Sequence, residues 1–345
     1  MQVSPCAVVD LESSSTMNGP VEVRSLALRC GNGNYRQCSS VVEFWSMLVQ
    51  GIDAVQKVPF DRWDVDTVSC VGTQQRIRDH LYAKYSRYGS FIRDLDIFDP
   101  ESFGLYESGQ SALEPQQREL LKVSKEVSPN IERKHIIDHK NTVDVFVGLC
   151  TNDGDVMGRE VAARLVLQDA TMTNHIKLEN LIQRLSESTY AFASNRISHI
   201  LGFQGSSISV DCASASGLVC VHLAMNSCKL QNMTNDFSKA SIAASVNLIT
   251  HRLLSDLHIA RQMFPIDGRC KTFDVRADGF ERGEGVIAMR LHLLGVLHVN
   301  TRFGLLMGSS CIHKGGGASL RALRGPAIEY KVRCCLLYTS DAADE

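Results

Sequence analysis

The residues best placed to do chemistry lie between Ile208 and Ala224, where the chain reads ISVDCASASGLVCVHLA. A short β-branched run closes at Asp211, the small residues Ala213 to Gly217 follow, and an apolar helical pattern then begins. Ser214 therefore falls near the head of a helix, where backbone N–H groups and a partial positive charge favour an anion. A thiol held there ionises closer to neutrality than its usual value of about 8.5, and small neighbours leave room for a substrate. Position 214 carries a hydroxyl, a far weaker acid, which a helix terminus alone does not ionise; an adjacent base has to remove its proton. The same residues also read simply as a helix start that packs closely on its surroundings, and spacing alone leaves both readings open.

The elements that must position this segment are legible as alternating strands and helices, which makes the class α/β. Val41 to Ile52 has apolar residues three and four apart and is stopped by Gly51, and Leu113 to Val127 repeats the pattern. Val143 to Leu149 reads as a buried strand, and Ile208 to Val210 as a second one. Leu218 to Leu230 is apolar nearly all round, which predicts a helix buried on every side. A chain of 345 residues, 44% hydrophobic and 21% charged, has a sizeable core. Its formal charge of −2 leaves no basic excess for a phosphate backbone, which argues against nucleic acid as a partner. No stretch approaches the roughly 18 apolar residues of a membrane span. The first residues lack a basic start before a hydrophobic run, so the expected location is cytoplasmic. Twelve scattered cysteines with no CxxC pair are expected to be mostly small buried hydrophobes rather than disulfides or metal ligands.

Seven segments carry a family likeness, in order along the chain. They are Phe44-Trp45 with VPFDRWD (58–64), FDPESFG (98–104), EPQQR (114–118), Val147-Gly148 with Asn152-Asp153, NRIS (195–198), the 208–224 segment, and DGRCKTFD (267–274) with ADGF (277–280) and RGEG (282–285). Together they resemble the β-ketoacyl synthase (ketosynthase) domain of modular polyketide synthases and animal-type fatty acid synthases. The resemblance implies a thiolase-like five-layer α-β-α-β-α fold, with the first half nearly complete here and the second only begun. The resemblance divides the chain into a first half over 21–302 and the start of the second half over 303–332, while the Ser-rich, patternless residues 1–20 read as a loose segment and 333–345 as a non-native tail. Within that tail CLLYTSDAADE (335–345) resembles a translated sequencing adapter.

The family's reaction is a decarboxylative Claisen condensation of acyl and malonyl thioesters carried on the phosphopantetheine of an acyl carrier protein, by an enzyme that is usually a homodimer and needs no bound cofactor. Ser214 stands where the family motif VDTACSSS has its nucleophilic cysteine, and Cys212 where it has threonine. The resemblance places Cys212 at the strand end facing elsewhere, a buried structural thiol rather than a substitute nucleophile. The family's two histidines belong to the motifs EAHGTGT and NxGHxxxAAG, neither of which occurs in this sequence. The alternative is therefore a degenerate ketosynthase-like subunit that keeps a scaffold and carrier docking without the chemistry. His222 matches a histidine of the family's buried helix and is expected to be hydrogen-bonded there, and His313 lies in a loop position rather than a catalytic one. His135 and His139, four apart, read as surface residues with no third metal ligand nearby. Arg118 is expected to anchor a helix start or an interface rather than substrate, Gly283 and Gly285 to flank Glu284 in a tight turn, Gly315 to Gly317 to form a plain loop, and the Asn232-Met-Thr234 triplet to be fortuitous.

Overall fold

A computed structural model of the chain describes residues 20–33, 37–65, 87–105, 113–129, 142–150, 153, 189–230, 240–265, 267–293, 303–313 and 325–336. Seven strands form one sheet: β1 (Val21–Gly31), β2 (Gln37–Cys38), β5 (Val143–Gly148), β6 (Ser207–Val210), β7 (Ala240–Asn247), β8 (Gly285–Leu293) and β9 (Gly304–Leu306). Their order is β2-β1-β8-β7-β5-β6, with β9 also paired to β1, and β3 (Gln56–Lys57) with β4 (Tyr88–Gly89) makes a separate ribbon. β5 pairs in parallel with both β6 and β7, and β8 runs antiparallel to β7 and β1. The carboxyl ends of β1, β5, β6 and β7 thus share one end of the sheet, the end where open α/β sheets place ligands.

The period-two alternation of a strand sends side chains to opposite faces, and the core divides accordingly. One face of the sheet offers Val143, Val145, Val147, Ile242, Ala244 and Ala288 to helices α2 (Pro115–Glu126) and α3 (Tyr190–Leu201). The other offers Phe146, Ala243 and Leu291 to Cys220, Ala224, Met225 and Cys228 of α4 (Ser216–Leu230). Helix α1 (Val41–Val49) starts at Ser40, whose side chain accepts the Glu43 N–H, and yields to Gly51 at φ 62°. α2 opens with Pro115 in its first turn, and Arg118 Nε donates to the Leu113 carbonyl at 2.9 Å, the helix-start anchor expected from sequence. The chain also contains α5 (Leu253–Ala260) and α6 (Gly325–Leu336); α6 runs across the boundary expected at residue 333.

Three expectations need correction. α4 is buried along one stripe only; Leu218 on its outer face is 78% exposed, because a single sheet covers it among the described elements. β6 is not a buried strand but the outermost of the described strands, with Ile208 44% exposed. Among the described cysteines Cys38, Cys220 and Cys228 are buried, Cys30 and Cys150 partly so, and Cys212, Cys270 and Cys311 are exposed. The buried ones sit on core-facing positions of strands and helices, and the exposed ones in connections, where composition gives no warning. Residues 1–19, His135, His139, the Asn232 triplet, Gly315 to Gly317 and the end from 337 onward lie outside the described residues.

Candidate active site

Helix α4 is seated directly on the ends of two strands by glycines. A methyl group at Gly148, the last residue of β5, would lie 2.7 Å from the carbonyl carbon and oxygen of Ser216 and 2.8 Å from the nitrogen of Gly217. One at Gly217 would lie 3.0 Å from the Ser245 hydroxyl on β7. The small residues seen in the sequence are therefore a packing requirement, and that packing brings the helix head to the strands' carboxyl ends. Close packing and site placement, left as alternatives by spacing, are the same fact.

Between β6 and α4 the chain turns through Ala213, held at φ 52°, a left-handed backbone that alanine adopts at a cost. Local hydrogen bonds hold it there. Asp211 Oδ1 accepts the Ala213 N–H at 3.0 Å; Ser216 Oγ accepts the Cys212 N–H at 2.8 Å and donates to the Ala213 carbonyl at 2.7 Å. Ser214 follows directly, two residues before the first helical residue. Its side chain is exposed rather than enclosed. Cys212 is exposed as well, which overturns the expectation of a buried structural thiol: the tight turn ends the strand before residue 212, so the sheet no longer covers it.

Ionisable groups collect around this turn. Burial, followed by the Asp211 charge, pushes the Cys150 thiol up, while Arg282 pulls it down. Burial first and then Asp211 push Tyr190 up to about 12, so its phenol stays protonated. Arg282 is buried, donates to Ser255 Oγ at 3.0 Å, and has its charge supported by Asp153 after burial disfavours it. Asp153, from the family-like pair 152–153, is itself fixed by the N–H groups of Thr250 and His251 at 2.9 and 3.0 Å. No base is hydrogen-bonded to Ser214 among the described residues. His222 faces Ser309 Oγ at 2.8 Å and Asn226 at 3.0 Å, half-buried and hydrogen-bonded, and burial lowers its pKa. His258 bonds the Leu254 carbonyl, and His251 accepts the Leu253 N–H. His313 is exposed in the segment after β9.

The stretch carrying RGEG does not form the tight turn expected of Gly283 and Gly285, neither of which has positive φ. Gly283 bridges Ser90, Gly285 begins β8, and Glu284 points inward, only 3% exposed. Its two oxygens accept the N–H groups of Ile92 at 2.7 Å and Ile249 at 2.8 Å, and Arg62 of the RWD segment pairs with it at 3.2 Å. Two sequence motifs 222 positions apart are thus one buried clamp, and burial raises the Glu284 pKa against these partners. Sequence reasoning did not single out Cys150, Tyr190 or Arg282 as neighbours of the site; their position after an apolar strand or in a motif gave no such signal. Among the described residues no group of three or more His, Cys, Asp or Glu side chains is arranged to hold a metal ion. No described helix is long and apolar enough to cross a membrane.

Comparison with known proteins agrees with this architecture. Residues 19–294 match the N-terminal domain family of β-ketoacyl synthases. A phenolphthiocerol/phthiocerol polyketide synthase of Mycobacterium tuberculosis is 31% identical over 244 residues, 70% of this chain and 12% of that protein. Polyketide synthase PksL of Bacillus subtilis is 28% identical over 266 residues, 75% of this chain and 5% of that protein. In structure, the oxazolomycin ketosynthase domain from Streptomyces albus superposes with a TM-score of 0.73 at 23% identity, covering 93% of this chain and 50% of the other. A ketosynthase from module 6 of the Bacillus subtilis bacillaene synthase gives 0.70 at 22% identity, covering 92% and 48%. The chain therefore spans about half of the solved ketosynthases and a small part of the curated polyketide synthases it matches, and its fold is thiolase-like. On the match over residues 19–294, the chain belongs to the β-ketoacyl synthase family.

Proposed function

We propose that this chain is the acyl-accepting half of a polyketide-type ketosynthase, in which position 214 is the point where an acyl chain would be held as it arrives from the phosphopantetheine arm of an acyl carrier protein. The protein containing it would then join that chain to a malonyl-derived unit by decarboxylative condensation. What carries the reading is the seat itself: Ser214 follows a strained turn at the carboxyl ends of β5 and β6, at the head of a helix pressed onto Gly148. Helix-terminal N–H groups favour negative charge at this point, while the neighbouring Asp211 carboxylate opposes it. The relatives being polyketide synthases favours that pathway over fatty acid assembly.

A second reading rests on a separate observation. A serine with no base hydrogen-bonded to it among the described residues is a poor nucleophile, which supports a degenerate subunit that docks carrier protein and holds the assembly together without condensing. The experiment offers an acylated carrier protein to the wild type and to Ser214→Cys and maps acylation by peptide mass. Loading of the wild type at Ser214 supports the enzyme; loading of the variant alone supports the degenerate subunit on an intact seat. Loading of neither, or loading at Cys212, contradicts the assignment of position 214. We further propose that β6 pairs with β6 of a second copy, since it is the outermost of the described strands and exposes Ile208.

A further inference from the structure

At the opposite edge of the sheet from β6, strands β1 and β2 are joined as a short hairpin whose register sets Cys30 directly across from Cys38. Directly opposed residues of an antiparallel pair have Cα atoms about 4.5–5.5 Å apart, inside the window of about 4.4–6.8 Å that a disulfide spans. The two side chains lie on the same side of the ribbon, in one apolar cluster. Cys38 is fully buried, packed with Leu28 and Met47, and its Sγ meets the Met47 sulfur at 3.8 Å. Cys30 is the more accessible of the two. Both are free thiols.

We infer that Cys30 and Cys38 form an oxidisable cross-strand pair, which a small-molecule disulfide such as oxidised glutathione converts into an intramolecular disulfide fixing β2 to β1. The Cys30 thiolate attacks the glutathione disulfide, forming a mixed disulfide and releasing one glutathione thiolate. The Cys38 thiolate then attacks the Cys30 sulfur, releasing the second. The two cysteine protons end on two reduced glutathiones, and the two electrons of the new S–S bond's formation have reduced the glutathione disulfide. Burial pushes the Cys30 thiol up to about 12, and Cys38 upward as well, so closure is slow at neutral pH and rises about tenfold per pH unit as the thiolate fraction grows. The pair lies at the far edge of the sheet from Ser214, so the inference is independent of the ketosynthase chemistry.

The test incubates the reduced full chain with oxidised glutathione at pH 7, 8 and 9, blocks remaining thiols with a maleimide, and maps the cysteines by peptide mass. The exposed Cys212, Cys270 and Cys311 take up glutathione and show that the oxidant is active. The expected result is a Cys30–Cys38 linked peptide, formed about tenfold faster per pH unit, absent in Cys30→Ser, and accompanied by a rise in melting temperature of about 3–4 °C. In urea the preference for this pair disappears. Glutathione on the exposed cysteines with residues 30 and 38 still blocked by maleimide, or intramolecular links elsewhere, overturns the inference.

Discussion

Replacing Gly148 by alanine tests whether the head of α4 is held where the fold puts it by contact alone. The added methyl would meet backbone atoms of Ser216 and Gly217 at 2.7–2.8 Å, against ordinary contact beyond 3.4 Å. Backbone cannot rotate out of the way as a side chain can, so the helix start must lift by a few tenths of an ångström or more. Overpacking of this kind costs about 1–3 kcal/mol, partly offset by the roughly 0.4–1 kcal/mol that alanine gains over glycine through the unfolded chain. The net loss is about 1–2 kcal/mol, or about 1–3 °C in melting temperature for a chain of this size. In a Ser214→Cys background the same lift should slow acyl loading at least tenfold, since misplacement near 1 Å costs up to about a hundredfold. Thermal unfolding and loading rates are measured beside Gly304→Ala, whose methyl would meet nothing within 4 Å. If Gly148→Ala melts and loads like that control, the glycine contact does not position the site.

Three further outcomes follow from other observations. Glu281, raised to about 7 mainly by burial, is more easily protonated folded than unfolded, so its contribution to stability is complete below its ordinary value near 4.5 and lost as pH climbs through 7; Glu281→Gln should flatten that decline and be about 1–2 kcal/mol the more stable at pH 8 by urea unfolding, after allowance for solvent screening. Truncating Glu284 to alanine strands the Arg62 guanidinium in a buried site and should cost about 3–5 kcal/mol, read as a large fall in denaturation midpoint. Ala213→Gly should be neutral or stabilising by about 0.5 kcal/mol, opposite in sign to most alanine-to-glycine changes, because it relieves the left-handed backbone at φ 52°; a loss above about 1 kcal/mol in urea would show that the turn is not strained.

Much of this architecture is readable in the residues because local physics dictates it. The spacing of Val41, Phe44 and Leu48 and the stop at Gly51 place α1, and the unbroken apolar run from Val143 places a buried strand. Ser214 was findable for the same reason, since a strand end, small residues and a helix start are contiguous in the chain. What could not be read depends on partners far away in sequence. Leu218 looks like core in the bare sequence, yet whether it is covered depends on how many layers surround α4. Glu284 looked like a turn residue between two glycines, and only the approach of Arg62, Ile92 and Ile249 makes it a buried acceptor. The exposure of Cys212 turns on a reversal of backbone direction at Ala213 that no side-chain pattern announces.

On the proposed reading, the head of α4 polarises position 214 toward negative charge. Its most direct measurement is the pH dependence of iodoacetamide alkylation of Ser214→Cys, followed by peptide mass at that position, with Cys212 in the same molecule as the internal reference. The expected ionisation lies clearly below the ordinary thiol value of about 8.5, falling further when Asp211→Asn removes the opposing carboxylate. An ionisation at or above that of Cys212 would contradict it.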